Sequence, residues 1–229
     1  MCFSATADFV AAGVLAPVGV ATLTQVRTRR DVPFASLPML FAAHQFTEGW
    51  VWLALEGHVP TGVGDVAAWL YALFAYGLLP FLVPAALLLI EPPGRRRLHM
   101  VPFVVVGVVT SVYLFWATVA HPVDYEQVHH SIAYTAHAPL LGVAAVGYVL
   151  ATVGAALLAG YRSIIAFGVV NAVGLTATLV VLAEAFASIW CVWAAFTSVL
   201  VLVFFLRRNR AQGPAVKRHQ QQRPATTSG

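Results

Sequence analysis

The stretch Val66-Ala67-Ala68-Trp69-Leu70-Tyr71-Ala72-Leu73-Phe74-Ala75-Tyr76-Gly77-Leu78-Leu79-Pro80-Phe81-Leu82-Val83-Pro84-Ala85-Ala86-Leu87-Leu88-Leu89-Ile90 contains no charged residue, and Arg95, Arg96 and Arg97 follow it closely. About 20 apolar residues cover the hydrocarbon core of a bilayer as a helix, so this stretch is long enough to cross with a tilt or a bend. Pro80 and Pro84 inside it each remove a backbone donor and predict that bend. The arginine triplet marks the end that stays in the cytoplasm.

The rest of the chain repeats this pattern. Of 229 residues, 60 % are apolar and 10 % charged, with a mean hydropathy of +0.81, whereas soluble domains are roughly half apolar and a quarter charged. Seven apolar runs are predicted as membrane helices: Asp8–Leu23, Pro33–Leu55, Val63–Ile90, Val101–Ala120, Pro139–Ala159, Ile164–Ala185 and Trp190–Leu206. All 13 basic side chains fall after the first, third, fifth and seventh runs. That alternation predicts an all-α bundle of seven transmembrane helices over residues 1–206, with the N-terminus outside and the C-terminus inside. Residues 207–229, rich in Arg, Gln, Pro and Thr, read as a disordered basic cytoplasmic tail. The pI of 9.4 therefore reports orientation in a bilayer and not a nucleic-acid partner. No basic segment precedes the first run and no lipobox precedes Cys2, so the first span is expected to remain in place, in a bacterial cytoplasmic (inner) membrane.

Ionisable side chains inside a membrane cost about 2.5 to 3.5 kcal/mol each on insertion scales, which makes the few present candidates for function. His44 and Glu48 are one helical turn apart and share a face, and Glu184 ends the sixth run. The segment from His121 to His137 holds four His and two acids. Read as a helix from Gln127 onward, it puts His130, Tyr134 and His137 on one stripe facing the bundle. Cys2 and Cys191, the two cysteines, are both placed at the outer surface, where they could form a disulfide, ligate a metal together, or stay as inert thiols. The metal candidates are thus His44, Glu48, His130, His137, Glu184, Cys2 and Cys191, with zinc or copper as the metal these donors suit. Haem held by His44 and one loop His is compatible with the same residues. Retinal is excluded, because the last run has no Lys.

Three separated motifs carry a resemblance: Met1-Cys2-Phe3-Ser4-Ala5-Thr6-Ala7, then Gln45-Phe46-Thr47-Glu48-Gly49-Trp50-Val51-Trp52-Leu53, and Ser188-Ile189-Trp190-Cys191. The chain resembles the "MCFS" type of bacterial multi-span proteins, DUF6629, a family with no assigned activity. The resemblance implies that Cys2, Glu48 and Cys191 belong to a recurring pattern. Two functions follow as expectations. One is a metal site near the outer face, serving hydrolysis or redox chemistry. The other is a non-enzymatic proton-coupled carrier or a pH or ligand sensor built on His44 and Glu48. The bilayer is the partner that both require.

Overall fold

The computed structural model describes residues 4–128, 131–135, 139–181, 193 and 197–211. They are mostly helical. Helix α1 (Ala5–Leu23) begins where the Ser4 hydroxyl accepts a hydrogen bond from the Ala7 amide at 3.3 Å, the usual way an orphan first-turn donor is satisfied. It is followed by α2 (Leu37–Leu55), α3 (Thr61–Ile90) and α4 (Arg95–Ala120). A β-hairpin comes next, β1 (Asp124–Val128) paired antiparallel with β2 (Ser131–Thr135). The chain returns to helix in α5 (Leu141–Leu157), α6 (Arg162–Val181) and α7 (residues 197–211).

Among the described residues, three helices are long and apolar enough to cross a membrane: Ala5–Leu23, Thr61–Ile90 and Arg95–Ala120. Helix α2 is as long as α1, but His44, Gln45, Thr47 and Glu48 dilute its hydropathy. The last helix runs to residue 211, so the first five residues expected in the tail are helical.

The bend expected in α3 takes a specific form. The helix widens to π geometry over Leu73–Leu78, immediately before Pro80. Pro84 has no amide hydrogen, which leaves the Pro80 carbonyl without its helical donor. That carbonyl closes on Gly107 of α4, where any Cβ would collide with it. A second π segment, Leu150–Gly154, lies within α5.

Helices α1 and α2 run antiparallel in close contact. A Cβ on Gly19 would lie 2.8 Å from the Met39 backbone, and one on Gly49 would lie 2.7 Å from the Phe9 ring. Two apolar cores result. Leu15, Phe34, Phe41, Leu87, Met100 and Phe205 belong to the larger one, and Ala5, Val51, Trp52, Ala67, Ala68 and Ile132 form the smaller one beneath the hairpin.

The hairpin overturns one expectation. Tyr134 does not share a helical stripe with His130 and His137, because it lies in β2. In the observed register Tyr125 pairs with Tyr134 and Gln127 with Ile132, so these four alternate onto one face with a period of two. β-branched and aromatic residues on either side of a two-residue connection favour this arrangement over a helix. His129, His130 and His137 lie outside the described residues.

At the opposite end, the loop between α1 and α2 is tied to α7. Asp31 Oδ2 accepts from the amides of Arg27 and Thr28 at 3.1 and 3.0 Å. Arg208 Nη1 donates to Asp31 Oδ1 at 2.7 Å, and its guanidinium lies over the rings of Phe204 and Phe205. Asn209 Nδ2 adds a bond to the Gln25 carbonyl at 2.9 Å. Burial by itself would raise the pKa of Asp31, but the guanidinium and the two amides outweigh it and hold the carboxyl below its ordinary value.

Candidate functional site

Two carboxyls are entirely buried at the hairpin end, Asp8 on α1 and Glu48 on α2. Each adjoins in sequence one side of the Phe9–Gly49 contact, so the two lie at the same level of the antiparallel pair. His44 and Gln45, one turn back along α2, are buried as well. His44, Glu48 and Trp52 recur every four residues, which sets them along one face of α2 directed into the bundle.

The His44 ring is held between aromatic faces. It stacks on Tyr71 of α3 with centroids 3.9 Å apart and an interplanar angle of 21°, and it also meets Phe74 at 4.6 Å. Tyr71 in turn stacks on Tyr134 of β2 at 4.1 Å and 13°. Imidazole, phenol and phenol thus form a continuous ladder from α2 through α3 to the hairpin. Phe74 belongs to the π segment, a geometry frequent at functional positions. Nδ1 of His44 and Nε1 of Trp52 are buried and make no hydrogen bond among the described residues.

The hairpin is pinned at a second point. Tyr125 donates its hydroxyl to Asp65 Oδ1 at 3.0 Å, and Gly64 permits the approach, since a Cβ there would lie 2.5 Å from that oxygen. Burial, and then the Asp65 carboxylate, push the Tyr125 phenol up from its ordinary value. Between the hairpin and the first turns of α3, a cavity of about 990 Å³ is lined by Asp65, Trp69, Asp124, Tyr125 and Glu126 among others. It shares no lining residue with the buried site.

Of the seven residues expected to bind metal, the structure describes His44 and Glu48 and places both in this site. Cys2, His130, His137, Glu184 and Cys191 lie outside the described residues, and so does the disulfide expected between the two cysteines. Among the described residues, no three of His, Cys, Asp and Glu converge closely enough to hold a metal ion. Sequence reasoning passed over Asp8, Gln45 and Tyr71 as site members. The signal for Asp8 was available, as an ionisable residue in the first turn of an apolar run.

A family model described as a family of unknown function, DUF6629, matches residues 1–217. No curated protein and no solved structure matches the chain.

Proposed function

Because the chain belongs to the DUF6629 family, whose description assigns no activity, we propose a function from its own geometry: a multi-pass membrane protein that takes up and releases protons at a buried carboxyl–imidazole site made by Asp8, His44 and Glu48. The proposal extends the three apolar helices to seven crossings, with the hairpin outside and the arginine-rich loops inside, on the strength of the charge alternation. The protein then acts as a proton-coupled carrier or a sensor of external pH.

One observation carries the reading. Two fully buried carboxyls lie level with each other on facing helices, at the end of the bundle to which the sequence allots no Lys or Arg. A buried carboxylate is costly without a counter-charge. With fixed cations absent from that end of the sequence, protons on carboxyl and imidazole groups set the charge balance there. Groups in that position can change state near neutral pH, whereas an arginine-paired acid stays ionised until the pH is well into the acid range.

A second reading, zinc or copper binding, rests on the buried Nδ1 of His44. His44 and Glu48 would supply two ligands, and the remainder would have to come from Cys2, His130, His137, Glu184 or Cys191. One experiment separates the two. Infrared difference spectra of the protein in liposomes, taken between about pH 5 and 8, are expected to show a protonated-carboxyl band that Glu48→Gln removes. Elemental analysis of the same samples is expected to show no bound transition metal. A wild-type spectrum without any pH-dependent carboxyl band overturns the proton reading. About one metal ion per chain, lost in Glu48→Gln, replaces it with the second.

A further inference from the structure

The loop Pro92-Pro93-Gly94 cannot continue α3, and it separates the end of that helix from the start of α4. A groove of about 470 Å³ is left between them, walled by Leu88, Pro93, Leu98 and Val101 with Arg97 at its rim. Leu98 is 70 % exposed and Val101 42 % exposed, although both are apolar. Arg95, Arg96 and Arg97 form the first turn of α4, which contains no acidic residue. None of the three makes an ion pair or a side-chain hydrogen bond among the described residues.

Three cations at this end of a helix oppose its dipole, so they do not serve helix stability. The positive-inside rule accounts for their sign, but it does not account for an open apolar groove that begins at the same turn. We propose that the groove binds one anionic phospholipid of the inner leaflet, its phosphate against Arg97 at the rim and one acyl chain along Leu88, Leu98 and Val101, with Arg95 and Arg96 adding positive charge from the same helical turn. Charge complementarity selects the headgroup, and the apolar wall selects the chain. The inference shares with the proposed function the reading that the chain spans a bilayer, and it is independent of Asp8, His44 and Glu48.

The test uses the full chain in nanodiscs of phosphatidylcholine with added phosphatidylglycerol, followed by native mass spectrometry of retained lipid. The wild type is expected to retain phosphatidylglycerol preferentially. Removing one arginine should weaken that retention about fivefold, and the triple variant R95Q/R96Q/R97Q roughly a hundredfold. Leu98→Gln should lose discrimination between long-chain and short-chain phosphatidylglycerol while keeping the headgroup preference. The control R29Q/R30Q removes two charges that do not line the groove and should leave retention unchanged. Equal loss in that control would overturn the proposal in favour of general surface potential. Equal displacement of the lipid by inorganic phosphate would also overturn it, since the groove then contributes nothing. Glu48→Gln should not change lipid retention, so failure here leaves the proton reading standing.

Discussion

Asp31 and Glu48 are both carboxyls removed from water at opposite ends of the same bundle, and the chain treats them differently. Asp31 has a fixed cation, Arg208, at 2.7 Å, two backbone amides and an aromatic floor under the guanidinium. Glu48 is buried level with Asp8, and His44 and Gln45 are buried one turn back along the same helix. A guanidinium keeps its charge at every physiological pH, so the Asp31 end is a clasp that joins the first helical loop to the last helix. Carboxyl and imidazole groups change charge, so the Glu48 end can respond. Structure is expected to fail when the first end is altered, and function when the second is.

The largest effect should follow Arg208→Gln. Asp31 is left buried with no cation, and breaking such a pair costs about 3 to 5 kcal/mol. Denaturant unfolding in detergent measures it. Arg208→Lys should recover only part of the loss, because an ammonium does not reproduce the flat contact over Phe204 and Phe205. Glu48→Gln, which keeps shape and removes a titratable proton, should change stability by less than about 1 kcal/mol. If Glu48→Gln proves as destabilising as Arg208→Gln, the distinction between a structural and a responsive end is lost.

Glycine contacts sharpen the comparison at a smaller scale, since overpacking typically costs about 1 to 3 kcal/mol. Gly19→Ala should fall at the upper end of that range, because the new Cβ meets the Met39 backbone, which cannot move aside. Gly49→Ala meets the Phe9 ring, which can rotate between Phe46 and Trp50. It should cost less, while disturbing the infrared signature of Asp8 and Glu48. The same unfolding measurement ranks the two, and a larger loss for Gly49→Ala would show that the hairpin end is the more rigid.

The aromatic ladder comes next. Tyr134→Leu keeps an apolar side chain but loses the stack on Tyr71, worth about 0.5 to 1.5 kcal/mol beyond the area it buries. Hydrogen exchange over Ser131–Thr135 should speed up accordingly, with α7 unaffected. Unchanged exchange would mean that the Tyr125–Asp65 bond alone holds the hairpin.

What could be read in the sequence follows from the physics of each signal. Apolar runs located the described helices, since the length of such a run is set by solvent. His44 and Glu48 shared a face because helical spacing alone requires it. The hairpin was misread because the His residues between His121 and His137 invited a helical count, while Tyr125, Gln127, Ile132 and Tyr134 carry a period of two. Asp8 is the first residue of the first apolar run, a place where an acid draws no notice. The helix starts at Ala5, and Asp8 thus lies a full turn inside it. The π segments have no pattern of their own, and Pro80 and Pro84 announced only that the helix would adjust there.

The smallest expected effect is a pH dependence that differs between the ends. The Asp31 pKa is lower in the folded chain than its ordinary value of 3.8, so the unfolded chain binds this proton more readily than the folded one. Its contribution to stability is therefore complete above about pH 4 and is lost as the pH falls through the lower, folded value. Unfolding measured across the acid range should show that decline in the wild type and not in Asp31→Asn, which has nothing to titrate. Between about pH 5 and 8 the clasp should contribute no slope at all. Any infrared change seen there, and any slope in stability that accompanies it, then belongs to the other end of the molecule. Were Asp31→Asn to remove the infrared change as well, the two ends would be one titrating system, and the assignment of proton handling to Asp8, His44 and Glu48 would fail.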